Sequence, residues 1–384
     1  MRFEFATATR IIFGPGSIKE AAPTAASFGR RALIVAGSTP DHVARLIEHL
    51  KSHDVEAAVF DVAGEPSIEM VQAGMKVARE HDCEVIISLG GGSAIDTGKA
   101  IAALLTNPGD PLDYLEVIGR GQPLKQTPLP CLAIPTTAGT GSEVTRNAVL
   151  ASHEHRVKVS LRSPGMLPRA AIVDPELTYS LPPPITASTG LDALTQLIEP
   201  YTCNSPNPLV DAICREGMQR AAQSLQRAYQ DGHDIEAREN MSLAALFGGM
   251  ALANARLGAV HGFAGPFGGL FSAPHGMICA RLLPFVFEAN VRALQTRAPN
   301  SPALPRYDEV AQLLTGRSTA GASDAIDWLH RLCTDLHVAP LSQFGFTPND
   351  IQLVVAQAQK ASSMKGNPIT LTEEELNKIL SKAA

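Results

Sequence analysis

Two successive patterns along the chain predict an α/β domain built on a parallel sheet, followed by an all-α domain. In the first half, short apolar runs alternate with segments of helical period; in the second, nearly every segment has helical period. A length of 384 residues also exceeds one ordinary core and suits two domains of comparable size. The run Leu181-Pro182-Pro183-Pro184 reads as non-helical and as the junction, giving domains at residues 1–182 and 183–384.

The elements follow in order. Ala32 to Ala36 is an apolar run that ends at Gly37, and Asp41 to Leu50 carries Val43, Leu46, Ile47 and Leu50 at helical spacing. Ala57 to Phe60 reads as a strand, Ile68 to Glu80 as a helix, and Glu84 to Leu89 as a strand that leads into glycines. A helix over residues 94–105 and a buried strand over Cys131 to Ile134 come next. This alternation implies a Rossmann-like parallel sheet covered on both faces. Val149-Leu150 and Lys158 to Leu161 flank a polar turn and read as a hairpin. Beyond Asp174 the helical segments are 186–201, 208–229, 236–255, 323–336 and 350–362, with 296–306 as an exposed loop.

The strand before Gly90-Gly91-Gly92-Ser93 and the helix after it make one device. Glycines let the backbone approach a pyrophosphate, and the free N–H groups and dipole of the helix stabilise its charge. Asp96 and Lys99 lie on that helix. A Walker loop is excluded, because five residues separate Gly92 from Gly98 and Ala100 follows Lys99. The GxGxxG fingerprint is absent from the first turn, which reads Ala36-Gly37-Ser38-Thr39-Pro40. A second polar loop, Pro135 to Glu143, also follows a buried strand, so its hydroxyls belong at the carboxyl edge where open α/β sheets bind ligands.

Composition narrows the function class. A net charge of −6 gives no electrostatic reason to expect nucleic acid or an anionic membrane as partner. No apolar run approaches the ~20 residues that span a bilayer, and the N-terminus lacks a secretory pattern. Six cysteines without CxxC spacing argue against a disulfide framework or a cysteine zinc site, and for a cytoplasmic protein with reduced thiols.

The motifs together resemble the iron-containing, or group III, alcohol dehydrogenases along the whole chain. They are Phe13-Gly14-Pro15-Gly16, the loop from Gly90 to Asp96 with Lys99, Pro135 to Glu143, Gly190 to Leu194, Leu257 to Gly262, and Pro274-His275-Gly276. The resemblance implies the dehydroquinate synthase-like architecture: a dinucleotide-binding domain, a helical domain and an active-site cleft between them. It implies NAD or NADP as cofactor, with Gly37, Ser38, Thr39, Gly90, Gly91, Gly92, Ser93, Asp96, Thr136, Thr137, Thr140, Ser142 and Lys158 on the cofactor side. It further implies a divalent metal, Fe²⁺ or Zn²⁺, and a homodimer, with Arg2 to Phe5 as a short strand able to pair with a partner's sheet edge.

The family's metal is held by an aspartate, a histidine four residues later and two histidines fourteen residues apart. Here these positions are Asp192, Gln196, His261 and His275, so glutamine replaces one imidazole. Asp192, His261 and His275 are the residues on which catalysis would rest. A glutamine oxygen is a neutral but weaker ligand, and three strong ligands still suffice for a catalytic zinc. Gly265 stands where many members carry a further active-site histidine, which leaves metal-bound water or the cofactor ribose to carry protons. Phe263, Phe267 and Phe271 either pack the core or line the substrate pocket. The turn at Gly37 lacks the acid that favours NAD, so both cofactors stay open. The expected reaction is hydride transfer between nicotinamide and a small alcohol or aldehyde. Competing readings are a metal-independent reductase, a dehydroquinate synthase-like lyase and a catalytically silent nucleotide-binding relative.

Overall fold

Apolar runs bounded by turn residues become the strands of one parallel sheet. In chain order the α/β unit contains β1 (Ile11–Phe13), α1 (Ala21–Ala26), β2 (Arg31–Ala36), α2 (Pro40–Lys51), β3 (Glu56–Asp61), α3 (Ile68–Glu80), β4 (Val85–Gly90), α4 (Gly92–Thr106) and α5 (Pro111–Tyr114). It continues with β5 (Cys131–Pro135), an antiparallel hairpin of β6 (Asn147–Ser152) and β7 (Val157–Arg162), and β8 (Ala170–Val173). The computed structural model describes every residue except Met1, Ser38 and Arg156.

The sheet order is β1-β8-β5-β4-β2-β3, and every ladder is parallel. Alternate strand residues serve opposite faces, as the pleat requires. Leu33, Val35 and Ile86 join one core with Val71, Met75 and Ile101 of α3 and α4. Ala32, Ile34, Val85 and Ile87 join the other with Ala22 of α1 and Val43 and Leu46 of α2. Neither face is left to water. Because β2 has β3 on one side and β4 on the other, the strand order reverses there and the carboxyl ends of β2 and β4 flank a switch point. Gly37 and Gly90 meet at that point: Gly37 N–H donates to the Leu89 carbonyl at 2.9 Å, and a Cβ on Gly90 would stand 2.9 Å from Gly37 N. Only glycine lets the two turns close so tightly.

The helical unit contains α6 (Pro183–Thr202), α7 (Pro208–Gln230), α8 (Ile235–Asn254), α9 (Ala259–Leu270), α10 (His275–Arg297), α11 (Leu304–Thr315), α12 (Ala322–Asp335), α13 (Ile351–Ala358) and α14 (Glu373–Ala383). Nearly all of α6 is buried, and it packs on α7, α8 and α10. The N-terminal residues up to Ala6 and the segment Ala138–Thr140 belong to this unit, whereas Thr7–Thr137 and Gly141–Tyr179 form the other. Ala6 is pinned by Asn254, which accepts from its N–H at 2.6 Å and donates to its carbonyl at 2.8 Å.

Several expectations change. The prolines at 183 and 184 do not exclude helix; they open α6, where their missing N–H groups would have had no helical partner. Arg2 to Phe5 forms no strand within the chain, and the first strand is β1, paired with β8. Four glycines and Pro266 hide α9 from a propensity reading, yet burial of Val260, Phe263, Ala264 and Phe267 holds it. The loop at 296–306 shrinks, because α10 runs to Arg297 and α11 starts at Leu304. Phe263 and Phe267 are fully buried, and Phe267 packs with Phe271 and Phe346 at ring distances of 4.6 and 5.4 Å. Among the described residues, no single helix is long and apolar enough to cross a membrane.

The polar loop after β5 ends in Glu143, which is 2% exposed. Burial raises its carboxyl to about 7, against a backbone hydrogen bond and the Lys99 charge that favour ionisation. The folded state then keeps a proton that the unfolded chain releases near 4.5, so this group erodes stability as pH rises from about 4.5 to about 7. Glu143→Gln should therefore gain stability over the parent chain at pH 8 and not at pH 4, read by urea unfolding at both values.

Candidate active site

Two sets of polar groups are assembled, one in each unit. In the α/β unit, α4 begins at Gly92 with Gly91 as its N-terminal flank, and no side chain caps it. The first amides of a helix have no partner within it, so this end presents free N–H groups. Gly91, Gly92 and Ser93 are half-buried there. The second loop lies against the first: Thr136 N–H donates to the Gly90 carbonyl at 3.0 Å, and Thr137 stands 3.4 Å from where a Gly91 Cβ would be.

Asp96 and Ser142 tie the loops rather than stand free. Asp96 Oδ1 accepts from the Ser142 hydroxyl and pairs with Lys99 Nζ at 3.0 Å, while Oδ2 accepts from Val149 N–H at 2.9 Å. Lys99 in turn donates to the Ser142 carbonyl and the Thr145 hydroxyl, both at 2.9 Å. Lys158, on β7, pairs with Glu65 at 3.2 Å. Thr140 falls in the helical unit, and Ser38 lies outside the described residues. Next to Gly37, Thr39 has a buried hydroxyl with no partner, and so has Nδ1 of His42 one turn on, a residue the sequence did not suggest.

In the helical unit, Asp192 and Gln196 share one face of α6, His261 is in the first turn of α9, and His275 opens α10. Pro274 flanks the start of α10, and Gly276 seats the helix against α6: a Cβ there would lie 2.6 Å from the Ser188 carbonyl oxygen. His261 Nε2 and His275 Nε2 stand 3.6 and 3.8 Å from the same oxygen, Asp192 Oδ1. Those gaps exceed the roughly 2.7–3.2 Å of an N–H···O hydrogen bond. Asp192 Oδ1, His261 Nε2 and Gln196 Oε1 are all buried without a partner. The first two of these face each other across 3.6 Å; orphaned polar atoms so placed are costly unless something binds them, and a cation suits them.

Two further residues complete the arrangement. Glu199, one turn beyond Gln196 on the same face of α6, accepts from His261 Nδ1 at 2.6 Å and from Val260 N–H at 2.7 Å. It turns the ring so that Nε2 faces Asp192, the role an outer carboxylate plays for a metal-ligating histidine. The spacing of 192, 196 and 199 was the signal for it. Cys279, one turn after His275, is fully buried with Sγ 3.6 Å from His275 Nε2. The ligand atoms of Asp192, His261, His275 and Cys279 all lie within 4.8 Å of one another.

Burial works against charge on all of these groups, but their mutual attraction prevails. His275 and His261 hold the Asp192 carboxyl below its ordinary range. The Cys279 sulfur and Asp192 raise His275 to about 9, and Cys279, Glu199 and Asp192 lift His261 well above the usual imidazole. The pocket favours positive charge.

This pattern can be set beside known proteins. The family model for iron-containing alcohol dehydrogenase matches residues 8–175, and the model for the family's C-terminal region matches residues 186–384. The chain belongs to the iron-containing alcohol dehydrogenase family. It is 36% identical to alcohol dehydrogenase 4 of Saccharomyces cerevisiae over 379 residues, covering 97% of this chain and 96% of the yeast protein. It is 31% identical to the NAD-dependent methanol dehydrogenase of Bacillus methanolicus, with 97% of each chain covered. A solved 1,3-propanediol oxidoreductase superposes over 100% of both chains with a TM-score of 0.90 and 34% identity. The architecture is thus that of the iron-containing alcohol dehydrogenases, and the chain is an oxidoreductase acting on the CH–OH group of alcohols or on aldehydes.

Two substitutions test the construction of the metal pocket. Glu199→Gln should weaken metal affinity roughly 10- to 100-fold, measured by chelator competition. Gly276→Ala should lower the bound metal found by elemental analysis, because α10 must move off α6. Gly265→Ala is its control: nothing lies within 4 Å of the new Cβ, and replacing a helical glycine should raise stability by about 0.5–1 kcal/mol.

Proposed function

We propose that this chain is an NAD(P)-dependent, metal-assisted alcohol dehydrogenase or aldehyde reductase of small substrates. The observation that carries the reading is the cluster of buried, unpartnered atoms on Asp192 and His261 beside His275. When bound, the divalent metal supplies Lewis-acid polarisation of a carbonyl or stabilisation of an alkoxide, and the nicotinamide supplies or takes the hydride.

The chain's own residues bind and orient. Asp192, His261 and His275 hold the metal, with Gln196 donating from Nε2 to Asp192 Oδ2 at 3.2 Å. Glu199 keeps His261 in the tautomer whose Nε2 is bare. The amides of Gly92 and Ser93, and the close turns of Gly37, Gly90 and Gly91, seat the pyrophosphate. Thr136, Thr137 and Thr140 serve the cofactor from the second loop and Lys158 from β7, while Asp96 and Ser142 hold the two loops together. The turn Gly37-Ser38-Thr39 contributes no acid of its own, so both NADH and NADPH are admitted. His275, about a third exposed, marks the side from which substrate reaches the pocket.

We also read the chain as a cytoplasmic homodimer; the six free cysteines and the exposed Phe3 side chain support this. Light scattering should give twice the chain mass.

The decisive assay follows NADH and NADPH oxidation with short aldehydes, after chelation and after return of Fe²⁺ or Zn²⁺. Activity should vanish on chelation and come back with metal, and Asp192→Asn should not respond to metal. Turnover unaffected by chelation would indicate a metal-independent reductase, and no turnover under any condition would remove the dehydrogenase reading.

A further inference from the structure

The metal pocket has an unexplained member. Cys279 lies on α10 one turn past His275, so the two side chains share a helix face. Its Sγ joins Asp192, His261 and His275 in a set of ligand atoms within 4.8 Å of one another, and no other such set of three or more His, Cys, Asp or Glu occurs among the described residues. We propose that Cys279 is a thiolate ligand of the metal, completing the set in a chain that has no imidazole at position 196, and that Gln196 is a positioning residue rather than a ligand. The inference rests on the metal reading above and concerns this chain's own departure from its family.

The distances argue for it. A tetrahedral centre with bonds of ~2.0–2.3 Å has ligand-to-ligand edges of roughly 3.3–3.8 Å. The three separations known here are 3.6 Å (Asp192 Oδ1 to His261 Nε2), 3.8 Å (Asp192 Oδ1 to His275 Nε2) and 3.6 Å (His275 Nε2 to Cys279 Sγ). They match the edges of one small polyhedron. Asp192 is 1% and His261 7% exposed, and each aims an unpartnered atom into it.

Gln196 faces the carboxylate with the wrong atom for a ligand. Its Nε2, a donor, reaches Asp192 Oδ2, and its Oε1 lies beside α8, 3.3 Å from where a Gly248 Cβ would stand. Tying down Oδ2 leaves Oδ1 directed at the two imidazoles. The thiol proton is released when metal binds, so Asp192 and Cys279 neutralise a divalent ion between them. A thiolate also suits zinc or cobalt better than the carboxylate and imidazole set alone.

The test uses the full-length chain stripped of metal and titrated with Co²⁺. The near-ultraviolet sulfur-to-cobalt charge-transfer band should appear at one cobalt per chain. It should be absent in Cys279→Ser and Cys279→Ala and retained in Gln196→Ala and in Cys203→Ser. Zinc affinity, from chelator competition, should fall at least roughly tenfold in both Cys279 variants. Their circular dichroism and thermal melting report whether they fold; if they do not, a parent spectrum without the band still overturns the proposal. Cobalt bound without the charge-transfer band would overturn the cysteine ligand and leave the metal reading standing. No cobalt bound at all would overturn both.

Discussion

Glu199 is the residue on which the helical unit's chemistry turns. One oxygen fixes the His261 ring and the other caps the start of α9 through Val260 N–H. Helix position and imidazole orientation are therefore set by one carboxylate. That carboxylate and Asp192 are both buried, at 6% and 1% exposure. Two buried acids would cost several kcal/mol each if uncompensated, so the pocket needs positive charge to exist. The imidazoles supply it in the metal-free chain, and a divalent ion does so more completely.

The α/β unit obeys a different constraint, the approach of two backbone turns. Gly37 and Gly90 close on each other at the switch point, and from the second loop Thr136 leans on Gly90 and Thr137 on Gly91. The amides at the start of α4 stay free because no side chain caps them. Asp96, Lys99 and Ser142 then lock loop to loop, so the free amides are held in place before any ligand arrives. Such preorganisation is how a site avoids losing binding energy to its own ordering.

Much of this was legible in the sequence because the signals were local. The strands of the sheet announced themselves as short apolar runs, and the glycine and threonine loops sit where the carboxyl edge needs them. Asp192, His261 and His275 follow from the resemblance to the family's ligand pattern and do converge. What was not legible depended on packing at long range. Helix α9 has the composition of a loop and is helical only because its apolar side is buried. Strands β1 and β8 are three and four residues long, and they are fixed by pairing with each other and, for β8, with β5. Cys279 has no CxxC spacing, and the interval that matters is its place one turn from His275. The prolines at 183 and 184 misled because the same residue that breaks a helix interior suits its first turn.

The pocket draws on three helices, α6, α9 and α10. An ion gripped by Asp192, His261 and His275 is therefore also a latch across the bundle. Its weakest leaf is α9, rich in glycine and short. On the metal reading proposed above, loss of the ion would free that leaf first, so the event that silences the chemistry would also loosen the scaffold and tie structural persistence, as well as turnover, to metal supply.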